Sequence, residues 1–209
     1  STVSANTTSG FSIVSYTGTG SAATVGHGLG AVPKMFMIKD LTSTNDWQVY
    51  HNATGNNNKL HINNTNAPTG TNNFATTTPT SSVFSISGGG QVNTSSSNYI
   101  AYCFAEKQGY SKFSSYIGNG NADGAFVYTG FKPSLIMFKS TASGTNWFML
   151  DNKRQGFNPA NETLSPNTAS AASSTGLSVN TLDFLSNGFK MKTNNAEFNA
   201  TGSTYIYMA

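Results

Sequence analysis

Charged side chains are few: 11 Lys and Arg and 8 Asp and Glu in 209 residues, for a net charge of +3. The basic residues are scattered and form no stripe, which argues against a nucleic-acid surface. No apolar run approaches the 18 residues of a membrane-spanning helix, so no membrane insertion is expected. The composition argues against a long coiled coil, which needs Ala, Glu, Lys and Leu in abundance together. The single cysteine, Cys103, excludes an internal disulfide. It sits in the apolar run from Tyr99 to Ala105 and reads as a small buried hydrophobe. The first ten residues have neither a basic segment nor an apolar core, so no signal peptide is visible, and 1–10 reads as a flexible linker.

Ser, Thr, Asn and Gly are abundant instead, with 100 residues among them. With 14 Phe, 9 Tyr and 2 Trp, aromatic side chains supply most of the material for a core. The chain also repeats itself. Ser15-Tyr-Thr-Gly-Thr-Gly20 returns as Ser115-Tyr-Ile-Gly-Asn-Gly120. Pro33, Met37, Lys39, Trp47 and Asn52 return 100 residues later, and 15–52 against 115–152 gives 12 identities in 38 positions without a gap. Farther on, Phe84 matches Phe184, and Tyr99–Ala105 matches Tyr205–Ala209 after a six-residue slip. A period this long exceeds a solenoid unit and fits a small β-domain. The expected organisation is a linker at 1–10, one repeat at 11–106, a short join at 107–110 and a second repeat at 111–209 whose end is clipped.

Strand signals dominate both copies. Phe11–Tyr16 alternates apolar and polar residues. Lys34–Lys39 and Ser134–Lys139 are short apolar runs entered from a proline, as in strands covered on both faces. Asp46–Tyr50 and Asn146–Leu150, Ser82–Ile86 and Asp183–Asn187, then Gly188–Met191 and the two closing segments complete the set. Gly, Asn, Ser and Thr clusters between them favour turns. The fold class expected is all-β: two tandem, mutually similar antiparallel β-sandwich, jelly-roll-like domains from an internal duplication. The stretches 53–80 and 153–178 read as surface loops, with a short helix near Ala169–Ser174.

The residues Thr24–Lys34, Tyr99–Glu106, Gly109-Tyr-Ser-Lys-Phe113, Ser115–Gly120 and Asp183–Phe189 resemble a domain found in tail-fibre and other virion-surface proteins of tailed bacteriophages. The likeness covers nearly everything from Phe11 onward. It implies a virion β-sandwich module with a role in host-surface attachment, and carries over no functional residues.

The search for chemistry returns little. His27, His51 and His61 lack the clustered partners that structural zinc needs. Gly26-His-Gly-Leu-Gly30 leads into a proline and a strand, not into the helix of a phosphate-binding loop. Eight dispersed acids give no spacing argument for a glycosidase pair or a calcium loop. Trp47 and Trp147 occupy the same position in both copies and read as packing residues. Lys39 is a candidate partner for Glu106 at a sheet margin.

These readings give a non-enzymatic adhesion protein of the virion surface, with no cofactor and no metal. The contact residues expected are Asn56, Asn57, Asn58, Lys59 and His61 in the first loop and Lys153, Arg154 and Asn158 in the second, because polar loops on a rigid sandwich suit adaptable hydrogen bonding. The partners expected are other virion proteins and host-surface glycan or protein, in a homo-oligomer with a trimer favoured, and neither nucleic acid nor membrane. The alternatives are a capsid-decorating or head-fibre protein without receptor binding and, more remotely, a glycan-cleaving enzyme.

Overall fold

The computed structural model describes residues 1–142, 144–172 and 181–209. The chain is all-β, with several open antiparallel sheets. It divides into two compact units, Ser1–Ile62 with Pro68–Lys107, and Asn63–Ala67 with Gln108–Ala209.

In the first unit the strands are β1 (Thr2–Asn6), β2 (Phe11–Thr17), β3 (Ala23–Gly26), β4 (Pro33–Asp40), β5 (Gln48–His51), β6 (Asn58–His61), β7 (Thr69–Gly70), β8 (Val83–Ile86) and β9 (Asn98–Ala105). A single-turn helix, α1 (Gly90–Asn93), lies before β9. Seven strands form one sheet in the order β1-β2-β9-β4-β5-β6-β7, and β3 pairs with β8. Strand β2 alternates buried and exposed residues, the period of a half-buried strand. Its inward residues Val14 and Tyr16 join Ile38, Ala101 and Cys103 from the same sheet and Val25, Phe84 and Ile86 from the β3–β8 pair in one core. The two sheets thus enclose an apolar layer as in a sandwich. Burial pushes the Cys103 thiol up to about 12, as for an inert core residue.

The second unit carries β10 (Phe113–Ile117), β11 (Phe126–Tyr128), β12 (Leu135–Ser140), β13 (Trp147–Asp151), β14 (Leu182–Leu185), β15 (Gly188–Met191) and β16 (Thr204–Met208), with the single-turn helix α2 (Ala196–Asn199) before β16. Four strands run β10-β16-β12-β13 and three run β11-β15-β14. Tyr116, Phe138, Tyr205 and Tyr207 from the larger sheet meet Val127, Phe184 and Phe189 from the smaller one in a second core.

The recurring Tyr-x-Gly-x-Gly motif has the same job in each unit. The Tyr16 hydroxyl donates to the Val92 carbonyl at 2.8 Å, and Tyr116 to Phe198 at 2.7 Å. Each ring stacks on the tyrosine that opens the closing strand, Tyr99 at 5.0 Å and Tyr205 at 4.9 Å. Those tyrosines accept the backbone N–H that follows each helix, from Thr94 and Ala200. Gly18 and Gly118 lie where a Cβ would sit 2.1 Å from the Thr94 carbonyl and 2.3 Å from the Ala200 carbonyl, so any side chain is excluded there. The last residue of each helix, Asn93 or Asn199, is fully buried. Asn93 accepts from the Thr19 N–H and donates to the Ser21 and Ser87 carbonyls. Asn199 accepts from the Asn119 N–H and donates to the Asn121 and Thr193 carbonyls.

Several expectations are corrected. Residues 1–10 are not a linker: β1 pairs along its length with β2, from Thr2 opposite Ser15 to Asn6 opposite Phe11. All five β1 residues are exposed, so the strand rests on backbone pairing that composition does not signal. The stretch 53–80 contains β6 and β7. Residues 169–172 are not helical, and Ser173 and Ser174 lie outside the described residues. The match of Phe84 to Phe184 gives way to Phe189. Val25 pairs with Phe84 as Val127 pairs with Phe189, and Tyr16 meets Phe84 edge-on as Tyr116 meets Phe189. Trp147 is buried, whereas Trp47 is half-buried and stacks on Tyr102 at 5.9 Å. Lys39 does not pair with Glu106. The register sets Lys39 opposite Ile100, six residues or about 20 Å of strand from Glu106. Its ammonium instead donates to the Ser43 and Asn45 carbonyls of the β4–β5 turn. Lys139 does the same in the second unit, donating to Thr145 O at 2.8 Å, and its burial pushes the ammonium pKa down to about 8.

Two predictions follow from these polar anchors. Replacing Asn199 with alanine removes three hydrogen bonds to backbone, one buried and two part-buried, at roughly 1 kcal/mol each. A loss of about 3 kcal/mol is expected in urea unfolding, and a loss under about 1 kcal/mol would show that the amide is dispensable. His27 is buried, with Nδ1 accepting from the Leu29 N–H at 3.2 Å and Nε2 donating to the Thr80 carbonyl at 3.1 Å. Burial lowers its pKa below 6.5, and the hydrogen bond to Thr80 offsets only part of that shift. Below pH 6.5 the unfolded chain therefore binds a proton that the folded chain refuses, so this contribution is full above that pH and falls as pH drops through the folded value. Stability of the wild type should decline from pH 7.5 to 5.5 more steeply than that of His27→Gln. Parallel profiles would reject the assignment.

Candidate functional site

Antiparallel pairing builds the site in the second unit. Strands β12 and β13 pair from Lys139–Trp147 to Leu135–Asp151. Asn152 carries the ladder one step further, with its N–H on the Ser134 carbonyl at 3.1 Å and its side-chain amide on the Pro133 carbonyl at 3.3 Å. This sets Lys132 and Lys153 on one margin of the larger sheet. The chain then turns through Gly156, at φ +77°, and returns along β14 of the smaller sheet. Asn158 fixes the return: its amide donates to the Phe184 carbonyl at 3.0 Å and accepts from the Phe184 N–H at 2.9 Å. Ala160 and Leu182 exchange a further pair of backbone bonds.

Between the two margins lies a cleft of about 290 Å³, lined by Lys132, Asn152, Lys153, Gly156, Phe157, Asn158 and Phe184. Phe157 is 68% exposed, whereas most of the phenylalanines pack in the two cores. The carboxylate that precedes Asn152 is already committed. Asp151 accepts from the Lys153 and Arg154 backbone N–H groups and from Arg154 Nε. Partial burial would raise its pKa, but the Arg154 side chain and the two backbone donors outweigh that and hold it below the ordinary carboxylate value. Arg154 also donates to the Glu162 carbonyl at 2.8 Å.

The contact residues expected from sequence therefore separate. Lys153 and Asn158 line the cleft, Asn158 as the pin that shapes it. Arg154 braces the turn from behind. The first group makes local hydrogen bonds within its own unit. Asn56 reaches Thr78, the Asn57 carbonyl accepts from the Thr71 N–H, and Asn58 donates to the Thr54 carbonyl at 2.7 Å. Lys59 donates to Gln91 at 3.0 Å, while His61 is buried with Nδ1 3.7 Å from Asp46 Oδ2. Sequence reasoning missed Lys132, Asn152, Phe157 and Phe184. Phe157 carried a usable signal, a lone aromatic in a polar Gly-Phe-Asn-Pro turn. Lys132 carried none, since only strand pairing brings it to Lys153. Among the described residues, no group of three or more His, Cys, Asp or Glu side chains is placed to hold a metal ion.

The family profile described as Domain of unknown function (DUF7483) matches residues 1–209, and the chain belongs to that family. No curated protein matches the chain, and no solved structure does.

If Asn158 shapes the cleft, Asn158→Ala should release the turn from β14. Hydrogen exchange at the Phe184 amide should accelerate by at least about tenfold, the loss of about 1.4 kcal/mol of local protection. Unchanged exchange there would show that the strand edge holds without the amide.

Proposed function

We propose that this chain is a non-enzymatic adhesion module of a tailed-bacteriophage virion surface, a tail-fibre or receptor-binding element that touches the host through polar loops. The observation that carries the reading is the cleft at Lys132, Lys153 and Phe157. It is a concave site on a loop pinned to a rigid sheet edge, where binding residues commonly sit. Its lining offers ammonium, amide and aromatic groups and no pair of carboxyl groups of the kind used in glycoside hydrolysis.

In this reading the two units are jelly-roll-like sandwiches descended from one ancestor by duplication. Support comes from the Tyr-Gly-Asn arrangement, which recurs with the same partners in both, and from the ladder that pairs the same strands in the same order, β2-β9-β4-β5 and β10-β16-β12-β13. The repeated part is the scaffold, and the loop that carries the cleft differs between the copies. Such a division suits a module whose fold is held constant while its contacts diverge. The partners are a host-surface glycan or protein and other virion proteins, within a homotrimer.

The test is adsorption. The purified chain should bind host cells and block infection by the parent particle in proportion to its concentration. Labelled antibody should mark the tail fibre. A chain that neither adsorbs nor blocks infection, with antibody decorating the capsid lattice, would replace this reading with capsid decoration.

A further inference from the structure

Resting on that reading, we infer that the cleft on the second unit takes an anionic saccharide, with the ring of Phe157 stacked on a sugar face and the ammonium groups of Lys132 and Lys153 on its carboxylate, sulfate or phosphate substituent.

Charge carries the first part of the argument. The lining contains two lysines and no acid. Of the acids close to it in sequence, Asp151 is matched by Arg154, and Asp183 alternates to the face of β14 opposite the buried lining residue Phe184. Among the described residues, neither Lys132 nor Lys153 forms an ion pair. In a chain with 19 charged residues in 209, two unmatched cations on one cleft leave a local positive potential that favours an anion. A lysine ammonium is a compact, mobile donor, so the pair suits a charged substituent on a flexible ligand more than a rigid planar one.

Shape carries the second part. A bare anion needs donors and gains nothing from an aromatic wall. Phe157, 68% exposed, lines the same cleft as the two cations. A pyranose has an apolar C–H face and a polar rim, which match a ring beside ammonium and amide groups. The volume of about 290 Å³ lies at the small end of ligand sites, which suits one or two sugar rings. Asn158 itself is not free for the ligand, because both ends of its amide serve Phe184. Its part is to hold Phe157 in place.

The experiment uses the full chain and three probes: a galacturonic acid trisaccharide, its neutral methyl ester, and inorganic phosphate, read by calorimetric titration. The acidic trisaccharide should bind, and the ester should bind at least about tenfold more weakly. The double variant Lys132→Gln/Lys153→Gln should lose about tenfold for the acidic sugar, with a weaker dependence on salt than the wild type. Phe157→Ala should lose a comparable factor at all salt concentrations. All three side chains are exposed, so the variants should unfold at the wild-type urea midpoint.

Equal binding of acid and ester would overturn the anionic assignment while leaving adhesion intact. Displacement by phosphate at equal affinity, with Phe157→Ala unchanged, would overturn the saccharide. No binding of either sugar would overturn both parts. Host-cell adsorption is scored separately, so a failure here is distinguishable from a failure of the adhesion reading.

Discussion

Each unit depends on a buried polar junction at the foot of its closing strand. A single-turn helix ends against the core, and its free backbone groups must be satisfied there or cost about 1–3 kcal/mol apiece. Two stacked tyrosines and one asparagine do this. Tyr16 and Tyr116 donate to helix carbonyls, Tyr99 and Tyr205 accept from the residue after the helix, and Asn93 and Asn199 tie the helix end to the loop that follows β2 or β10. The loop must pass so close that glycine alone fits at Gly18 and Gly118. The junction sits where β2 pairs with β9 in one unit and β10 with β16 in the other.

The same economy in charge runs through the rest of the molecule. With so few ionic groups, turns are organised by amides, hydroxyls and isolated lysines. Asp40 gathers Thr42, Ser43 and Asn45 in the first unit, and Ser140 takes the Ala142 N–H at the corresponding turn of the second. Against this background the margin near Lys132 and Lys153 stands out, since its cations are not consumed by the fold. The turn at 152–158 is held at both ends, one extended from β13 and the other pinned to β14.

Much of the fold was legible and little of the site. The alternation in Phe11–Tyr16 and the repeated apolar runs located most strands to within two residues, because a half-buried strand imposes its period on the sequence. The repeated Tyr-x-Gly-x-Gly was visible as a motif, but its meaning was not, since its partners Val92 and Phe198 lie 76 and 82 residues away. Phe84 was aligned with Phe184 because both are phenylalanines at a constant offset, whereas cross-strand pairing chooses Phe189. The Asn-rich stretch 53–80 reads as a surface loop because asparagine disfavours strands. Pairing of β6 with β5 and β7 overrode that preference.

The sequence by itself determined the fold class, the near-neutral polar surface and the recurrence of one scaffold motif, because these rest on composition and short-range period. Tertiary structure alone decided which of its many amides are structural and which groups face a cleft. An asparagine pinning a strand and one open to a ligand are the same letter, and the difference lies in what the fold brings within 3 Å of it. Lys132 and Phe157 became neighbours of one cleft through the register of β12 on β13 and through the grip of Asn158 on β14, neither of which is written locally in the chain.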